Sequence, residues 1–141
     1  MPTPDGIANH EWNRVRQLAT AVLDATNREQ ESHCRSRLFA YLELLEDKYG
    51  AKASILATRA DFCEDLHRRN ELLHRAYASA EATDDAHNAL YVAHSLAELH
   101  LDELGALDEG AKWLECMRGY LVRVDDGWFV EEYDRLRRLA F

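Results

Sequence analysis

Proline is missing from almost the whole chain. Its only two examples, Pro2 and Pro4, precede Asp5, so from there to Phe141 no residue is barred from a helix interior. Glycine is nearly as scarce, with six in 141 residues, so few positions are free to adopt a left-handed backbone. Val, Ile and Thr are thin beside Ala, Leu, Glu and Arg, and no stretch alternates as a strand does. No apolar run approaches the ~20 residues that cross a bilayer. Residues 1–6 carry neither the charged nor the apolar part of a secretory signal. Three cysteines, Cys34, Cys63 and Cys116, are odd in number and far apart. Reduced thiols in a cytoplasmic protein fit that pattern better than a disulfide framework.

Positive charge is the next absence. Between Arg75 and Lys112 there is no Lys or Arg, yet the interval holds eight acids, which match all but one unit of the net charge of -9. Such a surface repels nucleic acid and anionic membranes and attracts basic partners or cations. The N-terminal third has several arginines, but acids intersperse them too closely for a nucleic-acid footprint. The catalytic inventory is equally thin. There is no Gly-rich phosphate loop, no serine in a nucleophile elbow and no Cys-x-x-Cys. His33 and Cys34 are adjacent in sequence and therefore diverge on a helix. The expectation is a protein without enzymatic activity and without a cofactor.

Helical periodicity fills the rest of the chain. After a disordered tip over residues 1–8, one all-helical domain is expected over 9–141, with about seven helices. Trp12, Val15, Leu18, Val22 and Leu23 mark the first, over about 9–26. Leu38, Leu42 and Leu45 mark the second, over about 29–49, which Gly50 stops. Ile55, Leu56, Ala60 and Leu66 mark the third. A turn near 67–70, with Asn70 as cap, precedes a fourth helix carrying Leu72, Leu73 and Ala76; one continuous helix over 52–82 is the alternative. Thr83 or Asp84 caps the fifth and Gly105 ends it, while Asp108 caps the sixth with Leu107 as its staple. Asp125, Asp126 and Gly127 then separate a terminal helix built on Phe129, Tyr133, Leu136 and Ala140. Short connections make neighbouring helices antiparallel.

Tyr41, Tyr77 and Trp113 recur every 36 residues, each midway along the second helix of a pair. That spacing suggests three stacked hairpins and a closing helix. The best-marked hairpin, over residues 95–117, resembles a tetratricopeptide repeat. Ser95-Leu96-Ala97-Glu98-Leu99 is similar to the core of that family's first helix, and Leu104-Gly105-Ala106-Leu107-Asp108-Glu109-Gly110-Ala111 to its turn. Three departures stand out: one extra residue between Ser95 and Gly105, Gly110 in place of the usual Ala, and no proline ending any repeat. The resemblance implies a right-handed superhelix of antiparallel hairpins with a C-terminal capping helix, and a non-enzymatic scaffold that binds a peptide along its concave face.

On a helical wheel, Ala86, Leu90, Ala93, Ala97, Leu101 and Leu104 form one apolar side of the fifth helix. His87, Tyr91, His94 and Glu98 form a polar stripe, with Asp102 just beyond. The family's pattern also places Tyr91, His94 and Glu98 toward the ligand. These five residues are the candidate ligand-binding set. They suit a basic or amide-rich protein segment and disfavour a bound carboxylate, since Glu98 and Asp102 stand where a clamp would need Lys or Arg. A solvated face with incidental histidines is the plainer alternative.

No metal site is expected. His94 and Glu98 are correctly spaced for chelation, and Cys63, His67 and His74 would share a stripe on an unbroken helix. Neither set is completed by ligands visible in the sequence. A small acidic inhibitor that occludes a basic site is the alternative function, and a homodimer through Trp12, Trp128 and Phe129 is possible.

Overall fold

A computed structural model describes all 141 residues. Seven α-helices follow one another: α1 Asn9–Asp24, α2 Arg28–Tyr49, α3 Ala53–Asp61, α4 Leu66–Ala82, α5 Ala86–Glu98, α6 Leu107–Leu121 and α7 Gly127–Ala140. A π-helical turn, Leu99–Glu103, extends α5. The helices pack mostly as sequential antiparallel pairs: α1 with α2, α3 with α4, α5 with α6, and α7 against α6. None is long and apolar enough to cross a membrane.

Local chemistry sets most of the boundaries. Asn27 caps α2 by accepting the Gln30 N–H at 2.8 Å, and Gly50, at φ 88°, stops it. The break between α3 and α4 falls at residues 62–65, earlier than the expected turn, and Asn70 is not its cap. Asp65 takes that role by accepting the amides of His67 and Arg68 at 2.9 and 3.2 Å. Arg69 then closes the turn on the Cys63 carbonyl with two hydrogen bonds, at 2.7 and 3.1 Å. This loop is held by side chains rather than by glycine or proline. The break also separates Cys63 from α4, so Cys63, His67 and His74 do not share one helix.

The α4–α5 junction differs in detail as well. Asp84 adopts φ 51°, and Asp85 caps α5 through the Asn88 N–H at 3.1 Å. Thr83 instead turns its hydroxyl back onto the Ser79 carbonyl. Gly105 does end the α5 segment in the left-handed region, at φ 63°. Asp108, however, does not cap α6. The Ala106 N–H bonds back to the His100 carbonyl at 2.8 Å, α6 starts at Leu107, and Asp108 falls inside its first turn. Leu107 is half exposed and, as the first residue of α6, does not hold the position before the cap that a staple needs.

α5 is the central element, because it is apolar on two sides. Leu90, Ala93 and Ala97 pack with Leu114, Met117, Phe129 and Leu136 of α6 and α7. Val92 and Leu96 pack with Leu56, Ala60, Leu72 and Ala76 of α3 and α4. A separate cluster joins α1 and α2 around Trp12, Val15, Leu38 and Leu42. Burial of this kind, ~25 cal/mol for each Å² of apolar surface removed from water, is the main force holding the pairs together. Trp12 and Phe129 are consumed by these cores, so neither is available for a self-contact; Trp128 remains 54% exposed.

Residues 1–8, expected from the sequence to be a disordered tip, are placed against the body. The Thr3 N–H donates to Asn88 Oδ1 at 2.8 Å, and Asn88 Nδ2 donates back to the Thr3 carbonyl at 3.0 Å. Asp5 accepts hydrogen bonds from the amide and hydroxyl of Ser54 at the start of α3. Ile7 is buried beside Trp12.

Candidate functional site

With two flanks of α5 buried, the polar stripe between them is what remains to face α3 and α7. A cleft of about 490 Å³ opens there, lined by His87, Tyr91, His94, Ser95 and Glu98 of α5, Asp61 at the end of α3, and Trp128, Phe129 and Glu132 of α7, with Asp126 just before that helix and residues 1–3 of the N-terminal arm. Four of the five stripe residues therefore meet in one concavity. Asp102 does not line it. The π-turn inserts extra backbone between Glu98 and Gly105, and Asp102 instead faces Arg135 at 3.2 Å.

The walls carry two hydrogen-bonded sets. In the first, Tyr91 donates its hydroxyl proton to Asp61 Oδ2 at 2.5 Å. Crowding by the surrounding protein pushes the Asp61 carboxyl up to about 6, and the Tyr91 hydrogen bond draws it part of the way back. Asp61 nevertheless still meets water over more than a third of its surface, so the crowding comes from the walls of the concavity. Burial, then the Asp61 carboxylate, pushes the Tyr91 hydroxyl up from its usual range.

In the second set, His94 Nε2 donates to Glu132 Oε1 at 2.8 Å. The His94 side chain is only 8% exposed, because Trp128 and Phe129 pack edge-on against its ring at 5.1 and 5.8 Å. It is thus covered by α7 rather than displayed on an open face. Arg135 hydrogen-bonds Glu132 and holds that carboxyl down to about 2 despite its partial burial, with a smaller pull from His94. The same guanidinium reaches Glu98 at 2.7 Å. His87 stands edge-on to Phe129 at 6.3 Å.

Most of the acid-rich interval is neutralised locally by basic residues from outside it. Asp84 pairs with Arg123, Glu103 with Arg69, Glu109 with Lys112, and Glu98 and Asp102 with Arg135. Asp85 is engaged by Asn88. Asp61, Glu98, Asp126 and Glu132 line the cleft and no Lys or Arg does, although Arg135 pairs with Glu98 and Glu132.

Comparison with known proteins finds no matching family model, no matching curated protein and no matching solved structure. The stripe was visible as helical spacing, but its counterparts were not. Glu132 and Asp61 come from helices about 35 residues either side of the stripe, a distance no local periodicity spans. The one available signal was Trp128-Phe129, adjacent aromatics on a helix of which only Phe129 suits the core.

Proposed function

We propose that this chain is a non-enzymatic binding module that receives a basic segment of another protein on the face formed by α3, α5 and α7. The observation that carries the reading is the cleft lining: four carboxylates, of which Glu98 and Glu132 share Arg135, aromatic rings from Tyr91, Trp128 and Phe129, and no cationic side chain among the lining residues. A Lys or Arg head group entering it meets anionic oxygens and ring faces together, which is how proteins desolvate a cation at low cost. The volume suits one or two side chains rather than a whole helix.

The tetratricopeptide-like architecture belongs to the same proposal. Three sequential hairpins with α7 closing the stack fit that plan, and the cleft then lies on the face of the odd-numbered helices, where such scaffolds hold their ligands. The residue by which the segment from Ser95 to Gly105 exceeds the repeat pattern is absorbed by the π-turn, where the Leu104 N–H bonds to the Leu99 carbonyl five residues back. An inhibitor acting through the anionic face of residues 81–109 is less well supported, because five of its eight acids, Glu98 included, pair with Arg or Lys, whereas the cleft adds Asp61 and Asp126, which pair with neither.

An array of short Lys- and Arg-rich synthetic peptides, each with a lysine-acetylated copy, tests the reading by fluorescence anisotropy. A subset should bind, acetylation should abolish binding, and Glu98→Gln should weaken it by about tenfold, or ~1.4 kcal/mol. Equal binding of charged and acetylated copies, or no binding at all, would remove the proposal.

A further inference from the structure

We infer that His94, Glu98 and Glu132 form a binding site for one divalent transition-metal ion, held through His94 Nε2 and one oxygen of each carboxylate. These three donor atoms lie within 4.8 Å of one another. Donors bonded to one tetrahedral ion at about 2.0–2.2 Å are about 3.3–3.6 Å apart, and reach about 4.4 Å only when directly opposite, so the widest pair must close by about 0.4–1.5 Å through glutamate torsions. The geometry is already constrained at its least mobile member. The His94 ring is wedged by Trp128 and Phe129, and His94 Nε2 already points at Glu132 Oε1. A metal ion takes the place of the proton on that line, and the neutral imidazole carries its proton on Nδ1 instead.

The donor set selects the ion. One imidazole and two carboxylates suit zinc, manganese, cobalt or ferrous iron better than calcium, magnesium or cuprous copper. Two carboxylates supply the charge a divalent ion needs. Arg135 engages Glu98 through Oε2 alone, Asp102 through Oδ2, and Glu132 through both oxygens, so the ion must share or displace the guanidinium contact at Glu132 Oε1. A cation that hydrogen-bonds ligating carboxylates in this way fixes their orientation. Because the three ligands line the cleft, the remaining coordination positions face its interior. The site shares residues with the proposed partner cleft but does not depend on any partner binding there.

The 141-residue chain, stripped with a chelator and dialysed, is titrated with cobalt(II) alone and followed by calorimetry and visible absorption. One equivalent should bind with ligand-field bands of nitrogen and oxygen donors and no thiolate charge-transfer band. Glu132→Gln and Glu98→Gln should each weaken binding by at least about tenfold, and His67→Ala, which removes the exposed His67–Glu71 pair, should leave it unchanged. Because His94 is buried, the unmutated protein supplies the second readout: nitrogen NMR of the histidine rings with zinc(II), in which His94 Nε2 should shift. No stoichiometric uptake, a thiolate band, uptake indifferent to both glutamate variants, or shifts confined to the other six histidines would each overturn the site. A chain that takes up cobalt but ignores every basic peptide upholds the metal site and removes the partner reading alone.

Discussion

Tyr91 on α5 and Asp61 at the end of α3 share a hydrogen bond of 2.5 Å in the wall of the cleft. The Asp61 carboxyl, raised to about 6 from an ordinary value of 3.8, gives this contact a pH dependence of defined sign. Between those values the folded state holds a proton that the unfolded state has already lost, so stability falls as pH rises. Asp61→Asn keeps an acceptor for Tyr91 and removes the charge. It should therefore be more stable than the parent above about pH 6, by on the order of 1 kcal/mol after screening by water in the cleft, with the difference vanishing near pH 4. Urea unfolding at both pH values measures it; an equal difference at each would mean that Asp61 is not strained by its charge.

Gly110 sits where α6 crosses the π-turn. A Cβ built there would lie 2.3 Å from Leu101 Cδ2 and 2.4 Å from Leu101 Cγ. Leu101 is itself packed into the α5–α6–α7 core, so it has little room to retreat. Gly110→Ala should destabilise the fold by about 1–3 kcal/mol despite alanine's better helix propensity. The control is Gly119→Ala, where nothing lies within 4 Å and the backbone is helical; it should stabilise by roughly 0.5–1 kcal/mol. Thermal unfolding of the two variants should move in opposite directions, and movement in the same direction would contradict the close approach.

His100, on the π-turn, is buried with no hydrogen-bond partner at either ring nitrogen. Burial lowers its affinity for a proton. The neutral ring is therefore stable in the fold, and stability should fall as pH drops through about 6.5, where the unfolded chain takes up the proton. His100→Leu removes both the unpaired N–H and the titration. A gain of ~1 kcal/mol at neutral pH is expected, together with a flatter stability profile between about pH 7 and 5. An unchanged acid slope in the variant would show that His100 does not titrate on unfolding.

These sites differ in how much of them the sequence carried. Spacings such as Val15–Leu18–Val22 or Leu38–Leu42–Leu45 locate helices because burial of one stripe is a local pattern. Gly50 and Gly105 end helices because few other residues accept a positive φ. The α3–α4 break was harder: Asp65 and Arg69 build it from side-chain hydrogen bonds, and either residue fits equally well inside a helix. α5 illustrates a further limit. Its wheel presents one obvious apolar side, yet Val92 and Leu96 form a second one that only the arrangement of α3 and α4 reveals. That second side narrows the polar stripe, while the first, by packing on Phe129 and Leu136, seats α7 over His94 and delivers Glu132 to it. The stripe was legible, whereas the enclosure that turns it into a cleft is a tertiary property.

Asn88 offers the most direct control over that enclosure. Fully buried, it accepts from the Thr3 N–H and hydroxyl through Oδ1 and donates through Nδ2 to the Thr3 carbonyl and to Asp85. Its carboxamide thus pairs with both backbone groups of Thr3 much as a residue of a neighbouring strand would, and it ties the arm that forms part of the cleft wall to the first turn of α5. Asn88→Ala leaves the Thr3 N–H and carbonyl without these partners and should cost about 1–3 kcal/mol if they stay buried. Release of the arm to water would restore their hydrogen bonds and reduce that cost, so the loss in stability and the freedom of the arm should trade against each other. Hydrogen exchange distinguishes the outcomes: the Thr3 amide should lose its protection in Asn88→Ala, while the amides of Val92 and Leu96 in the core keep theirs. Protection at Thr3 equal to that of the parent would show that Asp5 and Ile7, rather than Asn88, hold the arm in place.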